Sequence, residues 1–327
     1  MSSGYNERII AVLQRLQLLR LMQGKSWEAK ADAKAITTIE GLPMDLTSGA
    51  QALELKLPNI GKGIAKHIDE ILSSSDPFTT GVAELDRLPS DTRERIEAYL
   101  DLMQVTGVGI KKAEKYYNEG YRTAAALVKA KGLTHREAVG VTHTEKLKRR
   151  VPRERVAEYE AAINRILEQL NETYGSNIAV TIAGSYRRGM PTSGDIDAIL
   201  ASQTPGEVAK YWPTILATLQ DRGYITEILS EGPERFDGIA ALPGTDIETR
   251  IDFIFINDIW EYPYALLYFT GSKEFNIKMR QAAKKQGFEL SNTFLTDTTG
   301  AKVRVSSEED IFAKLGQQYV APTARNL

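Results

Sequence analysis

The sequence predicts an α+β protein in which a helical amino-terminal part is followed by a part built on a mixed β-sheet. Apolar residues recur at helical spacing in NERIIAVLQRLQLLRLMQ, close to the amino terminus. From about Ile178 onward the pattern changes to short β-rich runs, namely IAVTIAG, DIDAIL, GYITEIL, GIAALPG and TRIDFIFI. Turns and a helical segment at YWPTILATLQDRG separate these runs, which indicates a sheet with packed helices.

Composition narrows the class of protein. The chain has 327 residues, of which 42% are hydrophobic and 26% charged, and this length favours two domains. No apolar run approaches the length of a membrane span, and MSSGYNERII lacks the apolar core of a signal peptide, so we expect an intracellular protein. With no cysteine and three scattered histidines, disulfides, thiol nucleophiles and zinc sites are excluded or disfavoured. Any metal ion should therefore be bound by oxygen atoms.

Charge is unevenly distributed along the chain although the net charge is only −2. Residues 86–153 carry an excess of about six positive charges, whereas residues 154–327 are acidic. Such a basic segment is a candidate contact surface for a phosphate backbone, and the alternative is an ordinary solvated surface.

Within the helical part, one supersecondary unit occurs twice. The segment SWEAKADAKAITTIE predicts a helix with Ser26 as its N-cap, and two glycine turns then each open into a helix, in LPNIGKGIAKHIDEIL and in VTGVGIKKAEKYYNEG. Their glycines, Gly61, Gly63, Gly107 and Gly109, allow backbone N–H groups at a helix start to meet an anion. A single copy is equally compatible with a plain turn between helices. Both copies carry lysines, and together they resemble the helix-hairpin-helix motif, which binds the DNA backbone without reading sequence.

The resemblance also implies a monovalent cation, Na⁺ or K⁺, in each hairpin. Its backbone carbonyl ligands would belong to Leu55, Leu57 and Ile60 in the first copy and to Met103, Val105 and Val108 in the second.

Three aspartates of the sheet part are candidate metal ligands. In a strand, Asp195 and Asp197 of SGDIDAIL point to the same face. In TRIDFIFI, Ile251 and Phe253 take the core side, which places Asp252 on the opposite face. Carboxylates this close favour a divalent ion with oxygen preference, most naturally Mg²⁺. The alternative is that each aspartate is simply an exposed strand residue.

The segment IAVTIAGSYRRG ends a strand in a glycine turn before the aspartates. Backbone N–H groups and the Ser185 hydroxyl would lie at a helix start, a place that accommodates phosphates. Arg187 and Arg188 cannot both face the same way, so one should bind phosphate while the other pairs with a carboxylate. A phosphate site and metal carboxylates within a dozen residues indicate phosphoryl transfer from a nucleotide.

These residues resemble the signature of the nucleotidyltransferases, and the remaining motifs resemble family X DNA polymerases. The order RRVPRE, GSYRRG, SGDID, RIDF and YFTGSKEFNIKMR, preceded by two hairpins and followed by EEDIFAKLGQQYVAP, covers nearly the whole chain. The resemblance implies a nucleotidyltransferase-type palm with helical flanking subdomains. It divides the chain into a lyase-like domain, a DNA-binding subdomain, the palm and a subdomain for the nascent base pair, at residues 1–85, 86–148, 149–259 and 260–327.

The family's site residues transfer by motif. Asp195 and Asp197 would ligate two Mg²⁺ ions, for which Mn²⁺ is expected to substitute, and Asp252 would ligate the catalytic ion. Nucleotide binding would fall to Arg150, Ser185, Arg188, Gly194, Tyr268, Phe269, Gly271 and Asn276. Arg235, Arg250 and Arg280 would contact DNA, so the implied partners are gapped or primed duplex DNA and a dNTP, bound by a monomer without a membrane.

Two departures from the family pattern bear on activity. Where the family's lyase domain carries a Schiff-base lysine, this chain has His67, so 5′-deoxyribose-phosphate lyase activity should be weak or absent, with Lys30, Lys34, Lys62 or Lys66 as substitutes. Ile254 stands where an arginine pulls the second metal aspartate away before nucleotide binds, and Asn292 stands at the position of that arginine's acidic partner. We therefore expect Asp197 to be more fully preset for metal.

The predicted function is a template-directed polymerase that fills short gaps in DNA repair, in the nucleus or a viral DNA compartment. A template-independent nucleotidyltransferase and a catalytically silent DNA-binding scaffold are the alternatives.

Overall fold

The computed structural model describes residues 4–42, 44–74 and 79–326. The chain forms two compact units, the first ending at Thr142 and the second beginning at His143.

The first unit is helical. A single cluster of buried apolar side chains, from Ile9 to Leu127, forms its core. Its helices are α1 (Tyr5–Met22), α2 (Ser26–Glu40), α3 (Gly49–Glu54), α4 (Lys62–Ser73), α5 (Ala83–Asp86), α6 (Ser90–Leu102) and α7 (Ile110–Asn118), followed by a 3-10 turn (Ala125–Lys129) and by α8 (His135–Leu147), which continues into the second unit.

The prediction of Ser26 as a helix N-cap is wrong. Ser26 is the first residue of α2, Lys25 holds the cap position, and no side chain caps the helix. Gly24 lies in the left-handed region with φ 74°, and the Ser26 N–H donates to the Gly24 carbonyl at 2.9 Å. This turn starts the helix one residue earlier than the serine pattern predicts.

The second unit contains the predicted mixed sheet. Its strands are β1 (Val151–Pro152), β2 (Ile178–Ile182), β3 (Thr192–Ser193), β4 (Asp195–Ser202), β5 (Ile225–Glu231), β6 (Arg235–Ala241) and β7 (Glu248–Phe255). The main sheet has the order β2-β4-β7-β6-β5, in which β4 and β7 are parallel and the other neighbours antiparallel. The α+β class is therefore confirmed, and β1 pairs with β3 in a separate two-stranded ladder.

The two faces of the main sheet are buried differently. On one face, α9 (Arg153–Tyr174) and α11 (Glu207–Asp221) pack on side chains that include Ile196, Ile251 and Phe253. Trp212 of α11 lies 5.1 Å from the Phe253 ring, centroid to centroid. On the other face a smaller apolar cluster around Ile199 and Ile254 leaves the start of β4 uncovered by apolar side chains. Asp195 and Asp197 share this second face with Ile199 because side chains alternate along a strand.

The carboxyl-terminal part of this unit has its own core. It comprises α12 (Tyr262–Thr270), α13 (Lys273–Lys285), a three-stranded sheet of β8 (Glu289–Leu290), β9 (Leu295–Thr296) and β10 (Lys302–Val303), and α14 (Glu308–Lys314). Tyr264, Phe275 and Phe312 are buried in that core. Ser307 and Asp310 form a capping box at the start of α14. Among the described residues, no helix is long and apolar enough to cross a membrane.

Candidate active site

A row of three carboxylates crosses the main sheet of the second unit. In the parallel pairing of β4 with β7, Asp197 lies beside Asp252. In the antiparallel pairing of β7 with β6, Asp252 lies beside Asp237. Asp195 is two residues before Asp197 on the same face. The sheet thus brings the three aspartates predicted from sequence to one place and adds a fourth.

Burial and mutual repulsion perturb the pKa values of these carboxyl groups. Burial, with the charges of Asp195 and Asp252, raises the pKa of Asp197 to about 7. Burial also raises the pKa of Asp252 to about 6, although the Arg235 guanidinium opposes the rise. Burial on its own would raise the pKa of Asp237, but hydrogen bonds from Ser230 and its other neighbours outweigh burial, and the pKa is lowered. Crowded carboxylates of this kind are stabilised when a cation binds among them.

Arginines hold two of these carboxylates. Arg235 Nη2 donates to Asp252 Oδ2 at 2.5 Å, and Arg250 Nη2 donates to Asp195 Oδ2 at 3.0 Å. Over the described ranges, no three acidic, histidine or cysteine side chains converge as a ready-made metal site. The donor set still fits Mg²⁺, because it consists of carboxylate oxygens crowded on one face of the sheet. A metal ion can bind Asp252 Oδ2 only if the Arg235 guanidinium moves away from that oxygen.

The glycine turn before β4 approaches the carboxylates closely. Gly184 opens the one-turn helix α10 (Gly184–Arg187) with φ 57°. A Cβ at this position would come within 2.6 Å of Asp197 Oδ2. Both the left-handed backbone and the close approach therefore require glycine. The next side chain, Ser185, donates its hydroxyl to Ser193 Oγ at 2.9 Å.

The two arginines after this turn diverge, which confirms the prediction that they face different ways. Arg187 Nη2 pairs with the buried carboxylate of Glu308 at 2.7 Å. Arg188 donates from Nη1 to the Thr270 carbonyl at 2.7 Å and from Nε to Asn326 Oδ1 at 2.8 Å. Burial lowers the pKa of Arg188, and the charges of Asp197 and Asp195 oppose that shift. Of these two successive arginines, Arg188 is therefore the one that faces the carboxylates.

Two further predicted phosphate ligands lie together. Arg150 donates from Nε to Thr192 Oγ1 at 2.8 Å and from Nη2 to the Thr192 carbonyl at 3.0 Å. Its Nη1 lies 3.6 Å from the position that a Cβ would take on Gly194. The β1–β3 ladder positions this arginine directly before β4.

The YFTGS segment ends α12 and turns into α13. The rings of Tyr268 and Phe269 meet edge to face with centroids 5.1 Å apart. Asn276 Nδ2 donates to the Tyr268 carbonyl at 2.6 Å, and the Arg280 guanidinium lies 5.8 Å from the Tyr268 ring. Gly271, which directly follows the last residue of α12, has φ 67° and a cis peptide bond to Ser272. These predicted residues form one group, and Arg188 joins it through Thr270.

In the first unit, the two glycine turns have the same construction. Each joins the two helices of a short helical hairpin, α3 with α4 and α6 with α7. Asn59 and Gly107, at the same place in the two turns, have φ of 63° and 93°. The carbonyls of Leu57 and Val105 each accept an N–H from three residues further on, at 3.3 Å and 3.0 Å. Gly61 and Gly109 are the N-caps of α4 and α7, so the repeat recognised in the sequence is a repeat of backbone structure.

Of the carbonyls predicted to bind a cation, those of Leu57 and Val105 carry one hydrogen bond each within the hairpin. Each of these two carbonyl oxygens has a second lone pair that could bind the cation. The other predicted cation ligands are the carbonyls of Leu55, Ile60, Met103 and Val108.

At the position of the family's Schiff-base lysine, His67 belongs to a charged network. Arg20 Nη1 contacts both oxygens of Asp32, at 2.6 Å and 2.8 Å, and its Nη2 lies 3.3 Å from His67 Nε2. The other ring nitrogen of His67 lies 3.0 Å from Glu70. Asp32 is fully buried, and burial raises its pKa. Lys66 Nζ lies 3.5 Å from the Glu70 carboxylate, and its side chain is 75% exposed.

Sequence reasoning missed three groups near the site. Asp237 looks like an ordinary strand residue until the β6–β7 register is known. Glu308 binds Arg187 from more than a hundred residues away, and it also accepts a hydrogen bond from Arg325 Nη1 at 2.6 Å. Asn326 fixes Arg188 from both sides, because its Nδ2 also donates to the Arg188 carbonyl at 3.2 Å. No local pattern in the sequence signals these contacts.

Comparison with protein families agrees with this geometry. Family models match the chain in four consecutive segments: a helix-hairpin-helix domain at residues 4–76, the fingers domain of DNA polymerase lambda at 101–148, the DNA polymerase beta palm at 150–258 and the DNA polymerase beta thumb at 265–326. The palm and thumb models are those of DNA polymerase beta and the fingers model is that of DNA polymerase lambda, so the chain is similar to both.

Full-length relatives show the same relationship. DNA polymerase lambda of Rattus norvegicus is 29% identical over 341 residues, covering 99% of this chain. DNA polymerase lambda of Arabidopsis thaliana is 29% identical over 98% of the chain, and DNA-directed DNA/RNA polymerase mu of Homo sapiens is 26% identical over 98%. The chain spans 57%, 62% and 69% of the lengths of these relatives. From the four family models in their order and these relatives, the chain belongs to the family X DNA polymerases.

Proposed function

We propose that the protein is a template-directed DNA polymerase that fills short gaps, by transfer of a nucleotide from a dNTP to a primer 3′-hydroxyl. The observation that carries this proposal is the row of carboxylates with Arg188 and the Gly184 turn beside it. Asp197 and Asp252 are register neighbours, and Arg188 faces them. A dNTP needs both an anion site for its phosphates and carboxylates for its counter-ions.

Asp195, Asp197 and Asp252 would hold two divalent ions. When bound, Mg²⁺ supplies charge neutralisation at the triphosphate and at the attacking and leaving oxygens. The protein's own residues orient the substrate. Arg188, fixed by Thr270 and Asn326, and Arg150, fixed by Thr192, present guanidinium groups to the phosphates. The edge-to-face pair of Tyr268 and Phe269 forms a rigid wall that would exclude a ribose 2′-hydroxyl.

The helical unit would bind duplex DNA through its two hairpins. The N-termini of α4 and α7 follow Gly61 and Gly109, where a Cβ would meet open space, so the backbone there is accessible to a phosphate. Na⁺ or K⁺ bound by hairpin carbonyls would add positive charge. Contacts of this type fix position on the duplex but carry no sequence information.

A gap-filling assay tests the proposal and separates it from its alternatives. A duplex with a one-nucleotide gap is incubated with Mg²⁺ and one dNTP at a time, using wild type and Asp252→Ala. We expect incorporation of the template-matched nucleotide by wild type and none by Asp252→Ala. Incorporation of all four dNTPs with equal efficiency would indicate a template-independent enzyme. DNA binding without any extension would indicate a silent scaffold.

Lyase activity is proposed to be weak or absent. Imidazole at position 67 cannot form the imine that a lysine forms, and the ring is engaged with Arg20 and Glu70. The Glu70 carboxylate beside the ring also disfavours a 5′-phosphate. Borohydride reduction in the presence of 5′-deoxyribose-phosphate DNA should trap no adduct. A trapped adduct that disappears on replacing one of Lys30, Lys34, Lys62 and Lys66 would contradict this proposal.

We also propose a cellular location and an oligomeric state for the protein. The protein should act where DNA is present, in the nucleus or a viral DNA compartment, and as a monomer. Sedimentation of the free protein at micromolar concentration checks the second point.

A further inference from the structure

Arg235 is shared by two carboxylates on neighbouring strands. It is the first residue of β6, and its Nη2 donates to Asp252 Oδ2 while its Nε donates to Asp237 Oδ1, each at 2.5 Å. Asp237 and Asp252 face each other in the β6–β7 register. One guanidinium therefore bridges a carboxylate that the proposed function assigns to metal and a carboxylate that it does not use.

The two carboxylates are held differently. Asp237 is 8% exposed, and its Oδ2 accepts the Ser230 hydroxyl from β5 at 2.7 Å. The Asp252 side chain is 22% exposed and faces the open side of the sheet. Asp237 is thus a fixed acceptor for Arg235, whereas Asp252 is the more exposed of the two carboxylates and is held by Arg235 and by a hydrogen bond with Asp237 itself.

We propose that Asp237 is a positioning residue for metal binding: it retains Arg235 when Asp252 exchanges the guanidinium for a divalent ion. A cation in contact with Asp252 competes directly with metal for the same oxygen. Because Asp237 lies on the adjacent strand, Arg235 keeps an ionic partner through Nε while Nη2 leaves Asp252. Without Asp237, the whole charge of Arg235 would be directed at Asp252, and metal would have to displace it unaided.

The surroundings favour this exchange over a fixed salt bridge. Arg250 already neutralises Asp195, and Arg188 lies near Asp197, so each proposed metal ligand has a nearby arginine. The Arg235 side chain is 50% exposed, which leaves it room to move without unpacking the core. The sequence-based prediction that Arg235 contacts the template backbone concerns the DNA-bound state. It predicts weaker DNA binding by Arg235→Gln rather than a change in metal affinity.

The inference rests on the proposed function, because Asp252 must be a metal ligand. Mn²⁺ binding to the DNA-free full chain, followed by the electron paramagnetic resonance signal of free Mn²⁺, tests it without catalysis. Wild type, Asp237→Asn, Arg235→Gln and the double variant form a double-mutant cycle. Asparagine keeps the shape of the side chain, and thermal unfolding of each variant verifies the fold.

We expect Asp237→Asn to weaken Mn²⁺ binding about tenfold, the loss typical when a group that orients a metal ligand is removed. In the Arg235→Gln background the same substitution should cost about twofold at most, because no guanidinium is left to compete. Ser230→Ala, which only loosens Asp237, should give a smaller loss than Asp237→Asn. The Mg²⁺ concentration for half-maximal gap filling should follow the same order.

An equal loss of Mn²⁺ affinity in both backgrounds would overturn the inference, since Asp237 would then act through its charge alone. Unchanged Mn²⁺ affinity in Arg235→Gln, together with weaker DNA binding, would assign Arg235 to the template backbone only and would also overturn it. Failure of the proposed function looks different. Wild type would then leave the gap unfilled at every Mg²⁺ and Mn²⁺ concentration, whatever the outcome of the binding cycle.

Discussion

Replacing Asp197 by asparagine should abolish gap filling and yet stabilise the metal-free protein. Burial and the neighbouring carboxylates raise the pKa of Asp197 to about 7. A carboxyl group whose pKa is raised on folding binds its proton more tightly in the folded state, so it opposes folding once the pH exceeds its unfolded pKa of about 3.9. The cost grows with pH and levels off above the folded pKa.

The magnitude follows from the shift. Between an unfolded pKa of about 3.9 and a folded pKa of about 7, the ionised Asp197 costs about 4 kcal/mol at pH 8 and about 1–2 kcal/mol at pH 5. Asp197→Asn removes this cost, so its gain in the free energy of unfolding should be larger at pH 8 than at pH 5 by about 2–3 kcal/mol.

Urea unfolding in EDTA at the two pH values measures this difference. Asp221→Asn, at the exposed carboxyl end of α11, is the matched control and should show no comparable change with pH. Saturating Mg²⁺ should reverse the order, because wild type binds the ion and the variant has lost a ligand. Equal stabilisation by Asp197→Asn at pH 5 and pH 8 would refute the reasoning.

Three further substitutions test the charged networks and the hairpins. Arg20→Met leaves the fully buried Asp32 without its arginine and should lower the free energy of unfolding by about 3 kcal/mol at pH 8, and by less as the pH falls, because burial raises the pKa of Asp32 and protonation removes its charge; a loss independent of pH would contradict this. Glu308→Gln should cost about 3 kcal/mol, whereas Glu309→Gln, one residue along on the exposed side, should be nearly neutral in the same thermal unfolding experiment. Gly107→Ala should cost about 1–2 kcal/mol because φ is 93°, and Gly109→Ala, whose φ is −98°, should cost less; equal losses would argue against backbone strain.

The sequence predicts those parts of the fold and site that depend on local pattern. Strand alternation places Asp195 and Asp197 on one face and Asp252 opposite Ile251 and Phe253, and the structure has this arrangement. The steric limit on two successive arginines likewise predicts that Arg187 and Arg188 diverge.

Contacts made by distant segments could not be predicted in this way. The carboxylate that binds Arg187 is Glu308, and nothing near either residue indicates the other. The role of Asp237 depends on the β6–β7 register, which a pattern of alternating residues leaves undetermined. Ile254, at the position of the family's arginine, packs in an apolar cluster and cannot pair with an aspartate. The arginine that contacts Asp252 comes from position 235 on another strand, which the sequence did not predict.

The network around Glu308 has a consequence for how this sequence can change over generations. Arg187 and the fully buried Arg325 share the two oxygens of Glu308, and Arg325 is stacked among Phe275, Phe312 and Tyr319. Losing Glu308 would leave the buried Arg325 without its carboxylate, and losing either arginine would leave one buried oxygen of Glu308 without its donor, so each single replacement should be destabilising. Drift at positions 187, 308 and 325 should therefore be concerted, with all three changing together or none. Since Arg187 adjoins Arg188, this constraint would also limit how the proposed nucleotide site can diverge.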